Sequence, residues 1–308
     1  MEAIVYKSTG SWYAVKANDG NRYNCRIKGI FKIDDISSTN PLAVGDKVAI
    51  EIENTAESSA VITEIFARKN YIARVSPHNK RQRHIVASNL DQAVLFAALR
   101  EPKTSPGFID RYLVSCEAFH VPPVIVFNKT DIYKKKEWEQ LSVLENIYSS
   151  IGYSVLSVSL KNEEGLERLS AVLYNKISLL SGQSGTGKST FINKLFLNEK
   201  LRTQEVSSWS GKGMHTTTFA EMFDLPDSGS IIDTPGIREF GLTDITQQEL
   251  SHYFPEMRAL LHDCKFNNCL HVNEPGCAVK QAVEAGKLFP ERYISYRNIL
   301  DTIEEDSY

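Results

Sequence analysis

Residues 182–190 read GQSGTGKST, a Gly-x4-Gly-Lys-Ser pattern set between an apolar run, KISLLS (176–181), and a helix-like run, STFINKLF (189–196). Such a loop works only where a strand hands over to a helix. Its glycines turn the backbone so that successive N–H groups converge on phosphate oxygens, and the helix N-terminus behind it adds partial positive charge. The middle of the chain is therefore α/β, which excludes an all-helical or all-strand architecture there. Gly182, Gly185 and Gly187 supply the turns, and Gln183, Ser184, Thr186 and Thr190 complete the loop. Lys188 is expected to neutralise charge on the terminal phosphates and Ser189 to ligate Mg²⁺.

The flanking sequence agrees. Strand-like runs QAVLFAAL (92–99), PPVIVFNK (122–129), YSVLSVS (153–159), KISLLS and GSIIDT (229–234) alternate with helical stretches such as 108–120 and 136–152. That alternation predicts a parallel sheet covered by helices. Asp233-Thr234-Pro235-Gly236 closes the strand GSIID. A carboxylate there, beside the phosphate loop, can hold Mg²⁺ through water, and the Gly236 N–H can reach a γ-phosphate.

Asn128-Lys129-Thr130-Asp131 ends the strand VIVF (124–127), at the carboxyl edge of the sheet where open α/β folds bind ligands. The Asp131 carboxylate can accept from guanine N1–H and the exocyclic amine together, a geometry adenine cannot satisfy. Lys129 would lie over the ring and ribose. Ser159-Leu160-Lys161, after the strand YSVLSV, fits a second base-contacting loop by position alone, its backbone N–H meeting the guanine carbonyl. The base-reading motif thus precedes the phosphate loop, the reverse of the usual order. A parallel sheet can be cut at one crossover and rejoined at another when the old ends lie close, so the order reads as a circular permutation.

Residues 1–67 have a different rhythm. Tyr23, Cys25 and Ile27 alternate with Arg22, Asn24, Arg26 and Lys28, and Val48, Ile50 and Ile52 alternate with Lys47, Ala49 and Glu51. This is strand periodicity. Asn18-Asp19-Gly20 reads as a hairpin turn. About five strands fit, which predicts a small OB-type barrel, a fold that often holds RNA or single strands. Arg22, Arg26 and Lys28 on the exposed face favour RNA, against the plain alternative of a structural barrel with a solvated basic face. Between Arg68 and His84 there are six Lys/Arg and no acid, although the net charge of −3 argues against uniform coating of nucleic acid. No apolar run is long enough to span a membrane, and MEAIVYKSTG lacks a signal-peptide pattern. A cytoplasmic, monomeric protein is expected.

Beyond residue 241 the chain reads as helical and carries Cys264-x4-Cys269-x-His271-x5-Cys277. Three thiolates and an imidazole make a closed tetrahedral set, the signature of structural Zn²⁺ with no open position for catalysis. Cys25 and Cys116 read as core residues, and His252 and His262 as bystanders to a full set. Arg292, Tyr293, Tyr296 and Arg297 would serve either rRNA contact or ordinary helix packing.

The permuted order, the segment Gly211-Lys212-Gly213-Met214-His215-Thr216-Thr217 and the late Cys/His cluster together resemble the ribosome small-subunit-dependent GTPase A family (RsgA/YjeQ type), over nearly the whole chain. The resemblance implies a multidomain α/β protein: an OB barrel (1–67) with RNA binding, a circularly permuted P-loop GTPase domain (68–241) and a helical zinc-binding domain (242–308). It implies GTP hydrolysis to GDP in late maturation of the small ribosomal subunit, stimulated by that subunit and its rRNA. In the family's first switch a threonine meets Mg²⁺ and the γ-phosphate. Thr216, Thr217 and Thr218 are available, Thr217 being favoured, and the Mg²⁺ set becomes Ser189, Thr217 and Asp233. Ile237 stands where a water-orienting Gln is common, so intrinsic hydrolysis should be slow. His215 is a candidate to assist, alongside Thr217 and Gly236, or else a solvated switch residue or RNA contact. A nucleotide-gated, ribosome-binding module is the alternative to an enzyme, and NKTD argues against a P-loop ATPase or kinase.

Overall fold

The structure is a computed structural model and describes residues 1–28, 41–75, 83–197, 220–226, 228–234 and 245–303. Strands β1 (Glu2–Ser8), β2 (Tyr13–Ala17), β3 (Arg22–Ile27), β4 (Lys47–Asn54) and β5 (Ser59–Ile65) form the N-terminal barrel. β1 pairs antiparallel with both β2 and β4, β3 runs parallel to β5, and β4 pairs antiparallel with β5, which closes the ring. The period-two residues Tyr13, Val15, Tyr23, Cys25, Val48 and Ile50 fill it, and Gly20 takes the positive φ of 87° that the hairpin turn requires. Ile52 breaks the pattern. It is 38% exposed, and the register of β4 with β5 shifts between it and Asn54.

The basic strand face is exposed, and its side chains pair with acids. Arg26 pairs with Glu53 at 3.1 Å, Lys28 with Glu51 at 3.4 Å, and Arg22 lies 3.9 Å from Asp224. Of the basic stretch after residue 67, Arg68 is largely enclosed in a forked pair with the buried Asp46, both contacts at 2.6 Å, and Lys69 reaches Asp91. Arg68 therefore joins the barrel to the next element, the hairpin of β6 (Tyr71–Val75) and β7 (Arg83–Ser88).

The central sheet follows with β8 (Gln92–Ala97), α1 (Pro106–Ala118), β9 (Pro123–Phe127), α2 (Lys135–Ser150), β10 (Ser154–Ser157), α3 (Leu166–Leu173), β11 (Ile177–Ser181), α4 (Lys188–Leu197), β12 (Glu221–Asp224) and β13 (Ser230–Asp233). Strands β10-β9-β8-β11-β13 lie in that order and are parallel. Every residue of β8 is buried, as expected of a central parallel strand covered on both faces. β12 adds antiparallel to β13, and its outer edge is met by β1 of the barrel, with Lys7 opposite Glu221. The barrel thus covers an edge that would otherwise offer unpaired N–H and C=O groups. Tyr6 donates to Asp224 at 2.5 Å and Lys16 pairs with it at 2.7 Å.

α1 begins at Ser105, whose hydroxyl accepts from the Phe108 N–H, with Pro106 at the first helical position. Cys116 on this helix is core, as expected. The C-terminal region, α5 (Pro255–Arg258), α6 (Ala278–Glu284) and α7 (Pro290–Leu300) with 3-10 turns between, builds its own apolar core around Phe254, Met257, Val279, Leu288 and Ile299, against Val114 of α1. Among the described residues no helix is long and apolar enough to cross a membrane.

Candidate active site and metal centre

Gly182, Gly185 and Gly187 all take positive φ, 134°, 82° and 107°, between β11 and α4. Two of them are enforced by neighbours as well. A β-carbon on Gly182 would stand 2.2 Å from the Phe96 carbonyl oxygen, and one on Gly187 would stand 2.1 Å from the Asn128 amide nitrogen. Lys188 Nζ donates to the carbonyls of Gly182 (2.5 Å) and Gln183 (2.9 Å), which folds the amine over the loop. The loop is further closed by Thr186, whose N–H and hydroxyl both bond Gln183 O. Ser184, Ser189 and Thr190 face outward, Ser189 and Thr190 in the first turn of α4.

Asn128, the residue directly after β9's buried run, is itself buried and bridges three motifs. Its amide donates to Thr186 O at 2.8 Å, and its side-chain oxygen accepts the Leu160 N–H at 3.2 Å. NKTD, SLK and the phosphate loop are thus tied together by one side chain, although 58 residues separate Asn128 from Thr186. Ser159 donates to Asp131 Oδ1 at 2.8 Å and accepts from the Asn162 N–H, which aims the carboxylate. Lys129 holds a left-handed φ of 67° and donates to the Glu101 carbonyl. Lys161 is exposed at the rim.

Asp233 ends β13 beside β11, in register with Leu180. Burial raises its carboxyl above the usual carboxylate range, with Lys188 pulling the other way, and burial lowers Lys188 in turn. A largely desolvated carboxylate at this mouth, faced by one lysine, fits a divalent cation. His215, Thr217 and Gly236, with Thr216, Thr218 and Ile237, lie outside the described residues.

In the C-terminal region the ligand atoms of Cys264, Cys269, His271 and Cys277 lie within 4.8 Å of one another. His271 Nδ1 is 3.3 Å from Cys277 Sγ and 3.7 Å from Cys264 Sγ, close to the roughly 3.5 Å separation of ligands on a tetrahedral zinc. Burial pushes the Cys269 thiol up to about 12. A dication among such sulfurs supplies the charge that makes them thiolates. The donor set and spacing fit zinc.

Several residues of these sites carry no sequence signature. Glu274 accepts the N–H groups of Leu270 (2.9 Å), Val272 (2.8 Å) and Asn273 (3.0 Å), shaping the turn that presents His271. Tyr293 and Tyr296 donate to the carbonyls of His271 and Leu270, so these aromatics pack the metal loop. Arg292 is buried, bonded to Asp110 of α1 at 2.5 Å and to Glu256 at 2.7 Å. Of the two readings of these three residues, rRNA contact or helix packing, their contacts favour packing. Near the nucleotide motifs, Tyr133, Thr104 and Glu101 were missed too, because hydrogen bonds across loops leave no periodicity.

The fold and the site define a circularly permuted P-loop GTPase carrying an N-terminal barrel and a C-terminal Cys3His centre. The profile of the RsgA GTPase matches residues 65–243 and that of the RsgA N-terminal domain residues 2–60. The chain belongs to the RsgA GTPase family, and it is a GTP-hydrolysing enzyme. It is 51% identical over 308 residues to the small ribosomal subunit biogenesis GTPase RsgA of Cytophaga hutchinsonii, covering 100% of both chains. Identity to RsgA 2 of Bacteroides thetaiotaomicron is 49%, covering 100% of this chain and 99% of the other. Among solved structures, YjeQ from Thermotoga maritima superposes with a TM-score of 0.78 at 31% identity, covering 97% of each chain. YloQ, a circularly permuted GTPase, gives 0.76 at 30%, covering 100% of this chain and 96% of the other.

Proposed function

We propose that this enzyme hydrolyses GTP to GDP and phosphate in the late maturation of the small ribosomal subunit, and that binding to the subunit and its rRNA accelerates hydrolysis. It acts in the cytoplasm as a monomer, with the domain limits 1–67, 68–241 and 242–308. The observation that carries the reading is the Asn128 bridge, which unites the base-reading and phosphate loops despite their inverted order. Asp131, aimed by Ser159, reads the guanine edge; Lys129 covers the ring; in the Ser159-Leu160-Lys161 loop, where the Leu160 N–H is taken by Asn128, the Lys161 N–H meets the guanine carbonyl. Residues Gly182 to Thr190 hold the phosphates, with Lys188 neutralising their charge. Mg²⁺ would be held by Ser189, Thr217 and, through water, Asp233, and it supplies Lewis-acid stabilisation of charge on the phosphates. Gly236 and His215 act on the γ-phosphate and the attacking water. Cys264, Cys269, His271 and Cys277 would hold one Zn²⁺, whose role is to cross-link the loop. Ile237 supports a second reading, in which nucleotide gates ribosome binding and hydrolysis is secondary. Turnover with and without purified small subunits separates the two: acceleration supports the enzyme reading, and unchanged turnover overturns it. Asp131→Asn should shift base preference from guanine toward xanthine nucleotides. Unchanged preference would sink the guanine assignment.

A further inference from the structure

β8 is the one strand of the parallel sheet that carries no nucleotide motif, yet it lies between β9, which ends in NKTD, and β11, which ends in the phosphate loop. The segment leaving its carboxyl end, Leu99–Thr104, therefore stands between the two. Four contacts fix it there. Lys129 Nζ donates to the Glu101 carbonyl. Pro102 lies against the phosphate loop, a β-carbon on Gly185 standing 3.4 Å from Pro102 Cδ. Thr104, fully buried, folds the segment back on β8 by donating its N–H to Ala98 O at 2.7 Å and accepting the Ala98 N–H on its hydroxyl at 3.1 Å. Finally, the Tyr133 hydroxyl accepts the Leu99 N–H at 2.9 Å and donates to the Asn128 carbonyl at 2.8 Å, so one phenol clamps this segment to the base-reading loop.

The backbone shows why such a clamp is needed. Glu101 and Lys129 both hold left-handed φ, 50° and 67°, although neither is glycine. Residues kept in that region are strained and persist only where surrounding contacts over-determine them. Here the strained pair face each other, carbonyl to amine. Relaxing either would carry Lys129 away from its partner. Tyr133 is well placed to prevent that. It is buried, it rests edge-on against Trp138 with ring centroids 5.9 Å apart, and burial pushes its hydroxyl up to about 12, so it keeps the proton it donates.

We propose that Leu99–Thr104 forms a third wall of the nucleotide site and that Tyr133 is its positioning residue, holding Lys129 in the pose that covers the guanine. The inference rests on the guanine reading of NKTD given above. Tyr133 touches no substrate in this scheme and acts through Lys129 and Asn128. Its loss should weaken nucleotide binding without altering the chemical step.

The test is GDP binding by Tyr133→Phe in the full-length protein with Mg²⁺, followed with a fluorescent GDP analogue. The variant keeps the ring and its packing and removes both hydroxyl bonds. Two neutral hydrogen bonds at this site set the scale at roughly three- to tenfold weaker affinity, with the loss in kcat/KM for GTP carried by KM. Ile147→Val, at the far end of α2, provides a comparison destabilised by core truncation alone and should bind GDP as the wild type does. Wild-type affinity in Tyr133→Phe, or an equal loss in both variants, overturns the proposal. If Tyr133→Phe does not fold, Thr104→Val carries the test, since it frees the same segment from its other end and should weaken GDP binding in the same direction. Failure of the guanine reading is distinguishable: wild-type protein would then bind ADP as tightly as GDP. A guanine-selective wild type with an unaffected Tyr133→Phe sinks only the clamp.

Discussion

At the scale of single residues, the phosphate loop is constrained from outside itself. Gly187 is required by pattern, but the clash that a side chain would meet comes from Asn128, an amide in the loop after β9. Gly187→Ala is therefore expected to break the Asn128 bridge as well as the loop. Nucleotide binding should fall by at least tenfold and the Tm should drop, measurable by titration calorimetry and thermal unfolding; retained binding would show that the amide can move aside. Asp233 is a case where function and stability conflict. Its carboxyl is raised in the folded state, so the folded chain keeps that proton to higher pH than the unfolded chain does. The associated stability is present below the ordinary carboxylate value and is lost as pH rises through the raised one. At neutral pH the group is a net liability without a cation. Asp233→Asn should thus abolish Mg²⁺-dependent turnover while leaving the Tm in Mg²⁺-free buffer unchanged or higher. A lower Tm would contradict this account.

Among the elements, motif positions were legible and their supports were not. NKTD, SLK and GQSGTGKST each sit at a strand's carboxyl end, where alternating apolar and helical runs put them. The cysteine spacing likewise announced a metal site. Glu274 did not announce itself, because a carboxylate accepting three N–H groups of a turn looks in sequence like any surface acid. Groups that orient metal ligands typically contribute 10–100-fold in metal affinity. Glu274→Ala is expected to weaken zinc retention by about that factor, read by competition with a chromogenic chelator, whereas Glu284→Ala, at the end of α6, should not. The basic faces of β3 and of the segment after β5 carried the opposite lesson. Residue type showed the charges but not their partners: Arg26, Lys28 and Arg68 each meet an acid that is distant in sequence, Arg26 and Lys28 while staying exposed and Arg68 while largely enclosed.

For the whole molecule, the decisive contacts are those joining regions with separate cores. α1 is shared between the central sheet and the C-terminal region: Asp110 binds Arg292, Arg111 binds Thr302, and Glu117 binds Arg258. Arg292 also lies 4.5 Å over the Phe254 ring. Removing one partner of a buried ion pair leaves uncompensated charge, at about 3–5 kcal/mol. Arg292→Ala should therefore destabilise the protein by about that much in urea unfolding, and adding Asp110→Asn should recover part of it; simple additivity of the two losses would argue against a coupled network. The sequence by itself determined the α/β class, the barrel's period, the permuted motif order and the Cys3His donor set. Each is written in local spacing, and local spacing survives any rearrangement of the rest. Only the tertiary structure decided that Asn128 bridges the nucleotide motifs, that the barrel covers β12, that Arg292 is a buried link rather than an RNA contact, and that Tyr133 clamps β8's loop. Those facts rest on pairs of polar groups far apart in the chain, whose energies depend on burial and on angles that residue type does not encode.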